Sequence, residues 1–364
     1  MKILLLEPFF TGSHKQWAEG YRENSKHDIE IWSLSGHHWK WRMHAGAISF
    51  SLRSQEMDAP DVILATDMLD ISAFCGMLPP SWKEVPIVAY FHENQLTYPW
   101  SSADPDIRLK RDRHYAFINY TSALAADEVW FNSAFHHDSF LQELPDFLNA
   151  FPDEKNLHTV EMIGNKSKVM HLGFDFNWLD MLDGIERVPN RIVWNHRWEY
   201  DKNPDTFFNI LMELKKEGLA FELVVLGQEF TDCPQIFAFA REVLEEEIVH
   251  WGYATSRDEY MRLLASCSVI PVTSNQDFFG ISAVEAIACG ITPLLPLRLA
   301  FPEHITEESC FYTSDQELKD KLRDVLSSTK PCPQLSSEVL KYSWKKVAPM
   351  YDHRIEEIVR FPGK

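Results

Sequence analysis

Two basic residues stand five apart in WNHRWEYDKNPD, residues 194–205: Arg197 and Lys202. They flank a loop that opens a helix, since Asn203 is a good N-cap and Pro204 suits the first helical position. Two cations converging there would neutralise charge on a departing diphosphate. A second stretch offers the complement. In TSNQDFFGISAVEAIACGITPLLP, residues 273–296, an apolar strand leads into a loop holding Asp277, Phe278, Phe279 and Gly280. A helix from about Ile281 to Ala288 follows, stopped by Gly290. Amides at a helix start form an anion site. Asp277, from the loop, and Glu285, from inside the helix, are suitable acceptors for sugar and ribose hydroxyls. Gly227 ends the strand LVVLGQ and is expected to border a base pocket. An ordinary strand–helix unit with surface charges around a turn is the plainer reading of both stretches.

The first half carries three polar groupings. Gly12, Ser13 and His14 follow the first apolar run. The glycine allows close approach of a substrate, and Ser13 and His14 offer hydrogen bonds; a simple turn would look the same. His92, Glu93, Asn94 and Gln95 follow the run IVAYF, a cluster that a lone structural histidine would not need. HHWKWRMH (37–44, with Trp39, Trp41 and Arg42) and RLKRDRHY (108–115, with Arg108 and Arg111) interleave cations with aromatics. That mixture suits phosphates and stacked bases, but also core tryptophans beneath a solvated cationic face. Asp104-Pro105-Asp106 is the tempting Asp-x-Asp. It lies in a proline-interrupted loop and is read as no metal site.

Short, nearly continuous apolar runs position these groups: Ile3–Leu6, Ile29–Trp32, Val62–Ala65, Ile87–Phe91, Glu128–Asn132 and Lys168–Leu172, then Arg191–Trp194, Glu222–Leu226, Ile248–Trp251, Ser268–Val272 and Thr292–Leu295. Such runs read as parallel strands buried on both faces, and their alternation with helical segments predicts doubly wound α/β sheets. The series occurs twice. Residues 1–178 form an expected first domain and 187–342 a second. Residues 343–364 form a helix crossing back to the first. Two facing Rossmann-like domains would place a cleft at the carboxyl ends of both sheets.

The chain of 364 residues, 45% hydrophobic and 24% charged, has material for two cores. A net charge of −19 argues against a nucleic-acid coat or a polybasic membrane patch, though not against a local basic strip. Six scattered cysteines without a C-x-x-C pair read as reduced residues of a cytoplasmic protein. Glu7 interrupts MKILLLEPFF, which is read as a first strand rather than a signal peptide. No apolar stretch reaches the roughly 20 residues of a membrane span.

The stretch from Asp277 to Pro296, with Phe279-Gly280, Glu285 and the small residues Ala286, Ala288 and Gly290, resembles the donor signature of GT4-type retaining glycosyltransferases. Asp277 stands where that family usually has glutamate. The resemblance implies the GT-B fold and metal-independent catalysis. It further implies that Arg197 and Lys202 take leaving-group charge, that Asp277, Phe278, Phe279, Gly280 and Ile281 hold the sugar and phosphates, that Glu285 binds ribose, and that His92 contacts the sugar. EPFFTGSHKQW, WKWRMHAG, YFHENQLTYP and NYTSALAADEVWFNS are similar to a narrower group, typified by tRNA-queuosine α-mannosyltransferase. That likeness implies mannose transfer from GDP-mannose to the cyclopentene diol of queuosine at the tRNA wobble position. Gly12, Ser13, His14, Trp39, Trp41, Arg42, Glu93, Asn94, Gln95, Arg108 and Arg111 would then serve the acceptor. Two other readings stay open: a GT4-type enzyme for a lipid, glycan or small molecule, and a non-catalytic nucleotide-sugar or RNA-binding module. A phosphorylase would need a cofactor-lysine signature that the chain lacks.

Overall fold

The computed structural model describes residues 1–101, 104, 106, 112–182, 184–227, 233–327 and 334–361. The chain divides into two compact units, Met1–Asp175 with Tyr342–Lys364, and Phe176–Lys341.

In the first unit the described elements are β1 (Lys2–Phe10), α1 (Gly12–Asn24), β2 (Asp28–Ser35), α2 (Trp39–Ser54), β3 (Val62–Thr66), α3 (Ile71–Met77), β4 (Ile87–Phe91), α4 (Asp112–Ala125), β5 (Glu128–Phe131), α5 (Ala134–Asn149), α6 (His158–Asn165) and β6 (Ser167–Val169). The strands form a parallel sheet in the order β2-β1-β3-β4-β5-β6. Every residue of β3 and β4 is buried, as the unbroken apolar runs require of a sheet covered on both faces. The sequence predicts a strand over Lys168–Leu172, but the strand ends at Val169. The Met170 amide makes a last bond to Phe131 at 2.8 Å, and the Met170 carbonyl is taken by the Tyr90 hydroxyl at 3.0 Å. A side chain thus replaces the ladder there.

The second unit holds β7 (Arg191–Trp194), α7 (Pro204–Lys216), β8 (Glu222–Leu226), α8 (Ile236–Val243), β9 (Ile248–Gly252), α9 (Arg257–Ala265), β10 (Val269–Pro271), α10 (Ile281–Ala288), β11 (Thr292–Pro296), β12 (Phe311–Tyr312), α11 (Asp315–Ser327) and α12 (Ser336–Val339). Its sheet order is β12-β11-β10-β7-β8-β9. Read from the other edge, this is the dinucleotide-fold order, which reverses between β7 and β10. Two residues, Phe311 and Tyr312, were too short a segment for the apolar pattern to flag. The Asn203 side chain caps α7 through the Thr206 amide, with Pro204 at its first position.

The last helix, α13 (Trp344–Arg360), belongs to the first unit. Tyr21 donates to Asp352 at 2.9 Å, and Tyr351 donates to the His171 carbonyl at 2.6 Å. The Trp344 indole occupies the space where Gly20 and Gly173 lack a Cβ. Of the cysteines, Cys267 and Cys310 are buried and Cys75, Cys233 and Cys289 half-buried, all as free thiols; Cys332 lies outside the described residues. Among the described residues no helix is long and apolar enough to cross a membrane.

Candidate active site

Where a parallel sheet reverses its strand order, the loops leaving the two central strands diverge and open a crevice. In the second unit those loops follow β7 and β10, and they carry the two motifs read from the sequence. They are stitched together: the Asn275 and Gln276 amides bond the Asp201 carbonyl at 2.7 and 3.3 Å, and the Thr273 hydroxyl bonds the Lys202 carbonyl at 2.9 Å.

Lys202 is buried at the centre. Its ammonium donates to the Gln276 carbonyl at 2.8 Å and to Asp277 at 2.9 Å, and lies 3.1 Å from Asp201. Burial opposes its charge, yet Asp277 and then Asp201 outweigh that cost and raise its pKa, while Arg197 pulls the other way. Burial likewise opposes ionisation of Asp277, and Lys202 outweighs it, holding the carboxyl below its usual range. Arg197 is about half exposed and lies 3.1 Å from Glu199. Its charge opposes that of Lys202, so the two cations of the first motif lie within electrostatic reach of each other.

The start of α10 has no side-chain cap and no acidic residue in its first turn, so no side chain competes with an anion there, although the Ala283 amide bonds the Gly280 carbonyl at 3.0 Å. Gly280 precedes it with φ +86, and a Cβ there would press on the Phe301 ring. Gly227 has φ +121, and a Cβ would overlap the His196 carbonyl. Phe278 and Phe279 are buried, and the Phe279 carbonyl lies 2.5 Å from His304 Nε2. Glu285 is engaged by the protein itself: Arg257 donates at 2.6 Å and Tyr260 at 2.7 Å. A carboxylate has about four acceptor sites, so capacity remains for a hydroxyl. His196, inside the first motif, was passed over in the sequence. Its Nδ1 lies 2.8 Å from the Ser282 hydroxyl at the start of α10, and its Nε2 is buried without a hydrogen-bond partner. Burial holds this imidazole at about 4, so it is neutral. A histidine directly beside Arg197 was the available signal.

In the first unit the order reverses between β1 and β3, and the loops there, with the loop after β4, gather His14, Asp67, His92 and Glu93. Glu7, near the end of β1, is fully buried and accepts from His14 Nδ1 at 3.0 Å. The His14 and His92 rings lie 4.2 Å apart. Among the described residues, Glu7, His14 and His92 are the one trio of such groups with ligand atoms within 4.8 Å of one another. The hydrogen bond from His14 to Glu7 accounts for the spacing of those two without a metal. Gly12 has φ +50 and open space around it, so backbone conformation and not crowding by the protein calls for glycine. Ser13 is exposed. Asn94 spends its side-chain oxygen on the Leu96 and Thr97 amides at 3.0 and 2.8 Å, and Gln95 bonds Glu93 at 2.9 Å. These two shape the loop.

The two cation–aromatic strips meet. Trp39 packs 5.1 Å from Tyr115, and His44 stacks 4.9 Å from His114. The Lys40 ammonium lies over Trp39, Trp100 and Tyr115 and bonds Asp104 at 2.8 Å and Asp106 at 2.5 Å. Those carboxylates therefore serve an internal lysine. Beside the histidine pair a cavity of about 580 Å3 runs between α3 and α4, past Asp70, Ser72 and Phe117. Trp41 is 60% exposed, whereas Arg42 is tied to Ser35 at 2.8 Å. Arg108 and Arg111 lie outside the described residues.

Residues 184–341 match the family of glycosyl transferases group 1. Sucrose-phosphate synthase from Thermosynechococcus elongatus superposes with a TM-score of 0.71 at 11% identity, covering 99% of this chain and 99% of that one. The two parallel sheets and the nucleotide-type crevice of the second define a glycosyltransferase of GT-B fold. Residues 2–174 match the tRNA-queuosine alpha-mannosyltransferase N-terminal family. A tRNA-queuosine alpha-mannosyltransferase of Drosophila melanogaster is 33% identical over 323 residues, 86% of this chain and 84% of the relative. The chain belongs to the tRNA-queuosine α-mannosyltransferase family. A GDP-mannose-dependent alpha-(1-6)-phosphatidylinositol dimannoside mannosyltransferase of Mycobacterium tuberculosis is 24% identical over 169 residues, 44% of this chain and 43% of the relative.

Proposed function

We infer that this chain transfers mannose from GDP-mannose to the cyclopentene diol of queuosine at the wobble position of tRNA, with retention at the anomeric carbon. The observation that carries the transferase reading is the contact of Lys202 with Asp277 beside the open start of α10. Family membership supports the acceptor, and the mycobacterial relative's name supports the donor.

In this reading the bond from the anomeric carbon to the diphosphate breaks first, leaving an oxocarbenium-like sugar. Lys202, Arg197 and the α10 amides hold the charge that develops on the diphosphate. The acceptor hydroxyl attacks the same face, and its proton passes to the departing phosphate oxygen. Glu285 takes the ribose, and Asp277, released from Lys202 when the diphosphate binds, takes a sugar hydroxyl. As the GT4 resemblance implies, no step of this reading is routed through a metal. The joined aromatic strips give the anticodon nucleotides a stacking surface. A cytoplasmic setting, beside tRNA, follows from the same reading.

Purified chain, mannose-labelled GDP-mannose and tRNA with or without queuosine test it. Label should enter the queuosine-bearing tRNA alone. Label in neither RNA, or equally in both, sinks the acceptor assignment. Replacing GDP-mannose by UDP-glucose should abolish transfer.

A further inference from the structure

Both oxygens of Glu7 are in use: one accepts the Phe9 amide at 2.8 Å, the other lies 3.0 Å from His14 Nδ1. Glu7 is fully buried and His14 is 7% exposed. The carboxylate therefore fixes the His14 ring through Nδ1 and leaves Nε2 for something else. His92 stacks beside it, and its own Nε2 is buried with no hydrogen-bond partner. Asp67 holds the loop by accepting the His92 amide at 2.8 Å, and Trp17 stands edge-on to the His92 ring at 4.7 Å. An unsatisfied buried nitrogen in a native fold calls for an explanation, and a catalytic or binding role is one of them.

We propose that Glu7 is a positioning residue that presents His14 as a proton donor beside His92 as an acceptor, so that the two imidazoles seat one hydroxyl group of a sugar or cyclic diol. A hydroxyl both accepts and donates, which is the complement of that pair. The charged and titratable groups facing His14 are Glu7 from β1, Asp67 after β3, and His92 and Glu93 after β4. Burial opposes a charge on His14, but Glu7 first, then Asp67 and Glu93, raise it to about 9. Burial, with the positive charge of His14, holds His92 well below its ordinary value. Neighbouring groups pushed apart in this way take opposite acid–base roles. The identity of the ligand rests on the glycosyl-transfer reading; the Glu7–His14 pairing does not.

The test is nuclear magnetic resonance of protein labelled with 15N-histidine, with His14 assigned through His14→Asn. In the wild type His14 should remain an imidazolium well above pH 7, and in Glu7→Gln it should titrate at least about one pH unit lower. A wild-type His14 titrating near the ordinary value of about 6.5 overturns the proposal. GDP-mannose, GDP and queuosine nucleoside are then added separately. A shift of His92 with GDP-mannose but not GDP assigns the hydroxyl to the sugar, and a shift with the nucleoside assigns it to the diol. No shift with any of them removes the seat. In kinetics, Glu7→Gln should lower kcat/KM about tenfold near pH 8 and move the alkaline limb of the profile down; an unmoved limb counts against the role. Zinc recovered one per chain from the wild type and lost in Glu7→Gln would also overturn it. The wild-type titration stands even if Glu7→Gln fails to fold, or if no mannose reaches tRNA.

Discussion

Lys202 and Asp277, 75 residues apart in sequence, meet at 2.9 Å and lock the loop after β7 to the loop after β10. The contact joins the cation that the proposed reaction assigns to the leaving diphosphate to the carboxylate it assigns to the sugar. In the proposed reaction, the diphosphate would compete with Asp277 for Lys202 and free that carboxylate for the sugar.

Lys202→Ala removes a cation from between the buried Asp201 and the half-buried Asp277. Loss of one partner of a buried pair costs about 3–5 kcal/mol. Loss of one preorganised charge donor lowers turnover by roughly 10²–10³. Both effects are expected, in urea unfolding and in transfer rate. Combining Lys202→Met with Asp277→Asn should recover part of the stability and none of the turnover. Near-normal turnover in Lys202→Ala removes it from the leaving-group role.

His196 gives a pH dependence of known sign. Its folded pKa, about 4, lies below the unfolded value of about 6.5. Between those values the unfolded chain binds more protons, so stability falls as pH drops from about 6.5 to about 4. In His196→Asn that part of the slope disappears. Urea midpoints of the two proteins across this window check it, and parallel curves would show that His196 is not buried neutral.

Gly227→Ala adds a strained positive φ to a collision with the His196 carbonyl. The backbone strain alone is worth about 1–3 kcal/mol, so the variant should lose at least that in chemical unfolding. Gly12→Ala, at φ +50 with open space, should lose less. Equal losses would mean that the contact at His196 gives way freely.

Trp41 is 60% exposed and contributes little to the core. Trp41→Ala should leave thermal stability unchanged. If a base of the anticodon loop stacks on it, tRNA binding weakens by about 1–3 kcal/mol, while GDP-mannose affinity stays the same. Filter binding at fixed salt measures the first and calorimetry the second. Unchanged tRNA affinity places Trp41 outside the acceptor surface.

Much of the fold could be read locally, because burial on both faces writes itself as an unbroken apolar run and a helix start as Asn203-Pro204. The motifs of the second unit, and the positions of Gly227 and Gly280, were legible for the same reason: each depends on neighbours a few residues away. Glu7 was visible only as an interruption of a strand, and Tyr260 and Arg257 gave no sign that they would engage Glu285. Strand order and register bring those groups together, and both are settled by long-range pairing. The amino-acid sequence thus determined the elements and which loops could bear chemistry. The tertiary structure decided which loops lie beside each reversal of strand order, and so which carboxylate reaches which cation or imidazole, because those contacts join residues that no local pattern connects.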